Sequence, residues 1–391
     1  MMLRSHFAFQ LIGALVAFLP LTTQLAHPQT ETVLYSFPIQ DEQSPYPYAG
    51  VILDSKGNIY GTTWIGGTSG KGTVYKVSPN GVETVLYNFS GGGDGANPIG
   101  ALVRDSIGNF YGTTNAGGAN NYGTVFKLTK AGVETVLHSF AFDGVDGWGP
   151  WATLLRDKNG NLYGTTQAGG TFGEGTIFEL TPGGTESLLY SFGANPMDGA
   201  FPNAELVRDG KGNLYGTTYG GGLNAGGTVF KMSAAGAETV LYRFMGGYDG
   251  NQPQAGMVRD PKGNLYGATV KGGQNGAGTI FRLSKKGIET VLLAFDGWDG
   301  VGPSAVMVRD KLGNIYGTAG GGGLGGFEGY GSMVELEEGS VESLLHIFQG
   351  APTDGADPYR AALARDSKGN LYGTTISGGA NGGGTIYKVV P

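Results

Sequence analysis

Short apolar runs alternate with glycine-rich polar segments along the chain from residue 31 onwards. Each run is rich in Val, Ile, Leu, Thr, Tyr and Phe, and each is bounded by Gly, Asn, Asp or Pro. This pattern is typical of β-strands joined by turns, and no window after the N-terminal segment has the period of an amphipathic helix. The sequence therefore predicts an all-β protein.

Four sequence elements recur in the same order seven times. An apolar run ending in Asp-x-x-Gly-Asn is followed by Tyr-Gly-Thr-Thr, then by Gly-Thr-Val-Phe, then by Glu-Thr-Val-Leu, with small variations. The Tyr-Gly-Thr-Thr element begins at seven tyrosines separated by 51, 52, 52, 51, 50 and 56 residues: Tyr60, Tyr111, Tyr163, Tyr215, Tyr266, Tyr316 and Tyr372. Because Asp, Asn and Gly favour tight turns, each repeat is predicted to form a four-stranded antiparallel sheet.

One sheet of this size cannot bury both of its faces, whereas seven packed radially bury one another. We therefore predict a seven-bladed β-propeller with four antiparallel strands per blade. The order of the elements makes the Asp-x-x-Gly-Asn run innermost and the Glu-Thr-Val-Leu run outermost. Residues 31–37 are then an outer strand without a blade, and the last repeat lacks an outer strand. Pairing of residues 31–37 with 384–389 is predicted to close the ring without an open edge.

Residues 1–26 are predicted to be a secretory signal peptide. Arg4 precedes an apolar stretch from Phe7 to Leu21, and polar residues and Ala26 follow it. This is the order of a signal peptide, and the apolar stretch is short for a membrane span. An uncleaved anchor is the alternative, and it would be the only contact with a membrane. The prediction is a secreted, extracellular or periplasmic protein in which residues 27–391 form a single propeller domain.

Composition narrows the possible functions. Glycine accounts for 76 of the 391 residues, and there is no cysteine, which excludes disulfides, thiol catalysis and cysteine-ligated zinc. The formal net charge of −7 argues against a nucleic-acid partner, because phosphate binding requires a basic surface. No cofactor is predicted.

The repeat unit resembles a known bacterial tandem repeat. Leu206-Val-Arg-Asp-Gly-Lys-Gly-Asn-Leu-Tyr-Gly-Thr-Thr218, followed by Gly227-Thr-Val-Phe-Lys231, is similar to the GloVer (Gloeo/Verruco) repeat of choice-of-anchor exported proteins. The resemblance extends over nearly all of residues 31–391. It implies a secreted or surface-attached bacterial propeller, and it implies little about activity, because no known reaction defines the family.

One face of the predicted propeller carries the candidate ligand-binding residues. Loops between the second and third strands share this face with the links between blades, and function on repeat scaffolds tends to lie where the loops are long. Exposed aromatic rings there suit stacking on sugars, so the predicted partner is a carbohydrate or a cell-surface component. The alternative is that the rings cap the blade ends. The candidates are Trp64, Trp148, Trp151, Trp298, Tyr219, Phe327 and Tyr330.

Two sets of charged residues repeat with the blades. Six link aspartates each precede a proline by four residues, and they either bind a divalent cation or, as we prefer, form turns. They are Asp94, Asp146, Asp198, Asp249, Asp299 and Asp354. Six arginines directly precede the turn aspartates, and we interpret them as ion-pair partners between neighbouring blades rather than as ligands of an anion. They are Arg104, Arg156, Arg208, Arg259, Arg309 and Arg365.

Candidate catalytic groups are few. His138 and His346 occupy an outer-strand slot that tyrosine fills in other repeats, far from the axis. The streptogramin lyases are similar seven-bladed propellers that as a family use a histidine near the axis, and this departure argues against their activity. Glu205 on an inner strand and Glu174 in a long loop are the candidates for carboxylate catalysis.

Three functions are therefore open from the sequence. The preferred one is a non-enzymatic binding module that holds a ligand, such as a carbohydrate, on its long-loop face. The second is a secreted carbohydrate-active hydrolase or lyase that uses channel carboxylates. The third is a structural repeat protein of the cell envelope.

Overall fold

The chain is a ring of seven four-stranded antiparallel sheets, the blades of a β-propeller, as the sequence predicts. The structure, a computed structural model, describes residues 31–39, 45–323, 326–338 and 342–391. The predicted signal peptide, residues 1–26, lies outside the described residues. Within each blade the strands follow the chain from the axis to the rim, so the predicted order from inner to outer strand is confirmed.

The inner two strands of each blade flank the Asp-x-x-Gly-Asn turn. The innermost strands are Ile52–Leu53, Val103–Arg104, Leu155–Arg156, Val207–Arg208, Val258–Arg259, Val308–Arg309 and Ala364–Arg365. The second strands, which carry Tyr-Gly-Thr-Thr, are Ile59–Thr63, Phe110–Ala116, Leu162–Thr166, Leu214–Thr218, Leu265–Lys271, Ile315–Ala319 and Leu371–Thr375.

The outer two strands complete each blade. The third strands are Thr73–Val77, Thr124–Leu128, Thr176–Leu180, Thr228–Met232, Thr279–Leu283, Ser332–Leu336 and Gly382–Val389. The outermost strands are Glu83–Asn88, Glu134–Ser139, Glu186–Ser191, Glu238–Arg243, Glu289–Ala294, Glu342–Ile347 and Glu31–Pro38. Short link strands are Ala96–Pro98, Gly147–Trp148, Gly199–Ala200, Asn251–Pro253 and Gly355–Ala356, with partners at Ala168–Gly169, Gly220–Gly221 and Ser377–Gly378. The loop between the second and third strands of the sixth blade contains a 3-10 turn, Gly326–Glu328.

The first described strand closes the ring. Glu31–Pro38 pairs antiparallel with Gly382–Val389, with Glu31 opposite Val389 and Ser36 opposite Thr385. The predicted pairing of residues 31–37 with 384–389 is thus confirmed. The seventh blade therefore takes its outer strand from residues 31–38, and its sheet contains strands from both ends of the described chain.

Seven apolar clusters hold the blades together, one at each interface. A phenylalanine that follows or ends each outer strand inserts between two blades. Phe192 meets Phe230 of the next blade edge to face, with ring centroids 5.1 Å apart, and Phe37 meets Tyr75 in the same way at 5.1 Å. The sequence repeat is therefore also a repeat of the core.

The aspartate of the Asp-x-x-Gly-Asn turn organises the inner hairpin. Asp209 Oδ1 accepts hydrogen bonds from the backbone N–H groups of Lys211 and Asn213 at 2.9 and 3.0 Å. Its Oδ2 accepts from Asn213 Nδ2 at 2.8 Å and from the Tyr215 hydroxyl at 3.1 Å. Gly212 has φ 88°, which a glycine adopts at no steric cost. Partial burial raises the pKa of Asp209, but these hydrogen bonds outweigh it and lower that pKa to about 2.

Asp209→Ala is expected to lower the free energy of unfolding by about 1–3 kcal/mol at pH 7, because four hydrogen bonds to a charged acceptor are lost. The pKa is lower in the folded than in the unfolded chain, so this contribution is present above pH 4 and is lost as the pH falls towards 2. Urea unfolding at pH 7 and pH 2.5 measures it. Asp209→Asn, which keeps one acceptor, is the matched control and should lose less. An equal loss for Asp209→Ala at both pH values would contradict this account.

The arginines before the turns do not form the predicted ring of ion pairs. Each guanidinium lies over the Tyr-Gly-Thr-Thr tyrosine of the preceding blade, for example Arg208 over Tyr163 at 5.7 Å. Only two of the six, among the described residues, also approach a carboxylate, and each does so at 3.9 Å. The tyrosine hydroxyl donates a hydrogen bond to the turn carboxylate or, in Tyr163, to Glu179. The aromatic ring is therefore the part of the tyrosine that contacts the arginine. Among the described residues, stacking of the cation on an aromatic ring therefore replaces the expected pair at four of the six arginines and accompanies a long ion pair at Arg208 and Arg365.

Candidate functional site

A ring of seven side chains surrounds the mouth of the axial channel on the long-loop face. Each follows the proline of a link between blades, where the chain turns from the link into the innermost strand. The ring residues are Tyr48, Ile99, Trp151, Asn203, Gln254, Ser304 and Tyr359. Six residue types occupy seven equivalent positions, whereas the next position along the chain is Ala or Gly in the first six blades. The backbone therefore keeps the sevenfold repeat at this ring, whereas the chemical type of the side chain changes from blade to blade.

A cavity lies directly below this ring. Its volume is about 40 Å³, and its polar lining consists of Thr153, Asn203, Glu205, Gln254, Ser304 and Arg360. Small residues such as Gly50, Ala101, Gly256 and Ala362 complete the wall. Because the wall is backbone and methyl groups, the few long polar side chains determine what the cavity can bind.

Arg360 is an insertion in the repeat. The link proline precedes the turn aspartate by seven residues in the first six blades, whereas Pro358 precedes Asp366 by eight. The extra residue has φ 59°, the left-handed region that side chains other than glycine rarely adopt. Its N–H donates to Ser304 Oγ at 3.1 Å. This one-residue bulge places an arginine side chain at the channel mouth.

Aromatic rings surround the Arg360 guanidinium. It lies 4.6 Å from the centroid of the Trp151 ring and 5.8 Å from that of Tyr359. The Tyr359 hydroxyl donates to Gln254 Oε1 at 3.0 Å, and its ring meets that of Tyr48 at 6.4 Å. Burial lowers the pKa of Arg360, while the neighbouring phenols of Tyr359, Tyr219 and Tyr48 act in the opposite direction. We call Tyr48, Trp151, Tyr219 and Tyr359 the aromatic collar.

Glu205 lies at the bottom of the cavity. Its Cγ fills the space where a side chain at Gly256 of the next blade would lie. Burial raises the pKa of Glu205 to about 7, and a hydrogen bond with Thr153 counteracts this in part. The Thr153 hydroxyl also accepts from the Ala101 N–H at 3.0 Å. The channel therefore favours the protonated form of this carboxyl more than water does.

The structure brings together three of the predicted ligand-binding aromatics. Trp151 and Tyr219 belong to the collar, and the Trp64 ring packs behind it, 5.3 Å from Tyr48. The other four lie farther out. Trp148 packs on Tyr122 at 6.1 Å, and Trp298 is 64% exposed. Phe327 and Tyr330 are exposed beside Gly297 and Gly350 of the links that flank the sixth blade.

The predicted pair of carboxylates is divided between two cavities. Glu205 faces the channel, whereas Glu174 lines a separate cavity of about 530 Å³ with Asp198 and Phe201. Within the described residues, Glu205 is the carboxylate of the channel cavity, so an acid and a base on opposite sides of one bound substrate are not assembled there.

Five of the six link aspartates contact an outer strand rather than the axis, and the sixth, Asp299, accepts a hydrogen bond from the Asp296 N–H within its own link. Asp198 Oδ2 accepts from the Tyr190 hydroxyl at 3.0 Å and from the Gly193 N–H at 2.9 Å. His346 takes the place of this tyrosine in the sixth blade, with Nε2 3.0 Å from Asp354 Oδ2. Potential ligand atoms of Glu31, His346 and Asp354 lie within 4.8 Å of one another. Because both Asp354 oxygens already accept backbone hydrogen bonds, these contacts support the turn interpretation.

Sequence reasoning missed most of this site. Tyr48, Asn203, Gln254, Ser304 and Arg360 were not singled out, although a signal for them exists. Alignment of the seven copies on the link proline shows the position where residue type changes from blade to blade, and it shows the extra residue in the seventh copy.

The fold and the polar cavity at one mouth of the channel place this chain in the class of closed seven-bladed propellers. The repeat sequence identifies its family. The family model described as the Gloeobacter/Verrucomicrobia repeat matches residues 21–195 and 131–327, which is more than half of the chain. The chain belongs to this family. No curated protein matches its sequence.

Solved structures share the fold at low sequence identity. A streptogramin B lyase is 16% identical with a TM-score of 0.61, and the match covers 93% of this chain and 97% of that one. Virginiamycin B lyase from Staphylococcus aureus is 14% identical with a TM-score of 0.60, covering 93% and 99%. The extracellular domain of a B. thetaiotaomicron protein is 15% identical with a TM-score of 0.60, covering 93% of this chain and 41% of that chain. No helix among the described residues is long and apolar enough to span a membrane.

Proposed function

We propose that this protein is an exported, non-enzymatic binding module that holds a carbohydrate at the channel mouth of its long-loop face. The observation that carries the proposal is the ring after the link prolines, where the sevenfold scaffold presents a different side chain in nearly every blade. Scaffold positions repeat because each blade packs in the same way, so a ring that departs from the repeat is explained by a ligand.

The chemistry of the ring suits a sugar. Tyr48, Trp151, Tyr219 and Tyr359 are all partly exposed, so part of each ring is accessible to a pyranose ring beside the contacts that the rings make with one another and with Arg360. Asn203, Gln254 and Ser304 supply the hydroxyl-binding groups beside them. Trp64 supports the collar, and Trp148, Trp298, Phe327 and Tyr330 extend the same face outwards for a longer chain. The predicted signal segment, residues 1–26, supports export.

A hydrolase or lyase is the second candidate, because the raised pKa of Glu205 is typical of a general acid. The separation of Glu205 from Glu174 favours binding over a mechanism with two carboxylates. Turnover of a polysaccharide that is abolished in Glu205→Gln would favour the enzyme. A protein that neither binds nor cleaves saccharides would leave a structural role in the envelope.

Trp151→Ala is expected to weaken saccharide binding by about tenfold or more, because a stacked aromatic at the centre of a site contributes over ~1 kcal/mol. A glycan array of the purified protein identifies the ligands, and calorimetric titration measures the affinity. Trp298→Ala, an exposed tryptophan of the outer rim, is the matched control and should retain most of the affinity for short saccharides. If Trp298→Ala lost saccharide affinity and Trp151→Ala kept it, the site would lie on the rim, which would contradict the proposed location.

A further inference from the structure

We propose that the ligand is an acidic saccharide such as a uronic acid, and that its carboxylate enters the cavity and is bound by Arg360. This inference rests on the proposed function, because it names the class of saccharide. It depends on the unpaired charge of Arg360, on the position of its guanidinium over Trp151, and on the polar groups and size of the cavity.

The Arg360 guanidinium has no carboxylate partner among the residues that the structure describes. The ion pairs found there join other side chains. Arg360 Nε is shielded from solvent and has no hydrogen-bond acceptor within the described part of the chain. A partly buried cation without a counterion costs free energy, and an anionic ligand offsets this cost.

The contact with Trp151 leaves hydrogen-bond donors of the guanidinium available to a carboxylate. The Cζ atom of Arg360 lies over the indole, 4.6 Å from the ring centroid. This contact attracts the positive charge of the group and is not a hydrogen bond from one of its N–H donors. Arginine held in this way can donate two parallel hydrogen bonds to the two oxygens of a carboxylate.

A second polar atom of the cavity needs a donor. Asn203 is only 8% exposed, and its Oδ1 accepts no hydrogen bond from any residue that the structure describes. A hydroxyl group beside the ligand carboxylate, as on a sugar acid, supplies that donor. A neutral sugar satisfies Asn203 and leaves Arg360 without a counterion, and a simple carboxylate does the reverse.

The size of the cavity sets how far the ligand enters. A volume of about 40 Å³ holds roughly three water-sized groups. A carboxylate with one adjacent hydroxyl fits this space, and a pyranose ring does not. The ring of the sugar therefore remains above the cavity, on the aromatic collar, while its charged group reaches Arg360.

The inserted residue is consistent with a specialised role. The other six links lack the inserted residue. The left-handed φ of 59° at Arg360 is a conformation that costs free energy. Single-residue bulges and strained backbone are common beside functional sites, where they direct a side chain. The scaffold has no need of the insertion, whereas an anion site has.

The test compares galacturonate and trigalacturonate with galactose and galactotriose in calorimetric titrations of the full protein. The wild type is expected to prefer the acidic probes by roughly 10- to 100-fold, as two charge-assisted hydrogen bonds imply. Arg360→Gln is expected to weaken binding of the acidic probes much more than binding of the neutral probes, so that the preference is lost. A change in tryptophan fluorescence on titration that is lost in Trp151→Ala reports that the probe is at the collar.

Two variants control for folding and for charge. Deletion of Arg360 restores the seven-residue spacing of the other six links, so the scaffold is expected to tolerate it, and it should lose the same preference. Arg282→Gln, on the third strand of the fifth blade, removes one guanidinium outside the channel and should keep the preference. Thermal unfolding confirms that each variant is folded.

The outcomes separate this inference from the proposed function. Equal affinity of the wild type for acidic and neutral saccharides overturns the inference and leaves carbohydrate binding in place. An equal loss of both classes in Arg360→Gln means that the arginine only shapes the site, which also overturns it. Binding of acetate that requires Arg360, with no binding of any saccharide, supports the carboxylate site and contradicts the carbohydrate function. No binding of any probe at millimolar concentration overturns both.

Discussion

Phe37→Ala is expected to lower the free energy of unfolding by about 3–5 kcal/mol, the usual loss for a buried phenylalanine truncated to alanine. Phe37 is 2% exposed and packs edge to face on Tyr35 at 4.9 Å and on Tyr75 at 5.1 Å. It belongs to the cluster between the seventh and first blades. Its strand is the one that closes the ring, so the loss measures how strongly the two ends of the chain are joined. Urea unfolding followed by tryptophan fluorescence gives the value.

Phe192→Ala is the matched control for the closure. Phe192 has the same position after the outer strand of the third blade and the same contacts, with Phe230 at 5.1 Å and Tyr190 at 5.0 Å. If the closing strand is equivalent to the other outer strands, the two variants lose similar amounts. A negligible loss for Phe37→Ala beside a full loss for Phe192→Ala would mean that the ring does not depend on its closure. In that case the edge at Gly382–Val389 would be exposed, and size-exclusion chromatography would detect its association.

The closure of the ring was predictable because it follows from counting the strand elements in each repeat. The first Glu-Thr-Val-Leu element, at Glu31, has no repeat before it, and the last repeat ends at its third strand. A sheet with an open edge is unfavourable, so two incomplete ends of one repeat complete each other. The Asp-x-x-Gly-Asn turn was predictable for a similar reason, since Asp and Gly have defined roles within five consecutive residues.

The site was less predictable because it depends on distances between blades. Arg360 and Trp151 come from the seventh and third repeats, and they meet only because the ring brings their links to one axis. The sequence contains the extra residue before Asp366, but it does not state the direction in which a residue at positive φ presents its side chain. The stacking of Arg259 on Tyr215 was missed in the same way, because charge alone suggested an aspartate as partner.

Glu205 lies on an inner strand and also lines the candidate site. Its burial determines how it affects the free energy of unfolding. The side chain of Glu205 faces the confined channel, and its pKa of about 7 is raised from the usual 4.5. Other charged side chains that share its cavities are Arg360 above it and Arg208, Arg259 and Arg309 below, and the Glu205 carboxylate is in no ion pair with them among the described residues. Burial of the carboxylate without a cation partner is therefore the main cause of the shift.

Glu205→Gln is expected to stabilise the protein by up to about 3 kcal/mol at pH 8 and to have little effect at pH 4. The folded-state pKa is above the unfolded one, so folding favours the protonated acid, and wild-type stability falls as the pH rises from 4.5 through 7. Glutamine keeps the size of the protonated acid and cannot ionise. Urea unfolding across this range, with the exposed Glu328→Gln as a control for net charge, measures the difference. A constant difference at every pH would mean that Glu205 ionises as freely in the channel as in water, and a gain at low pH would mean that the neutral carboxyl makes contacts that glutamine improves.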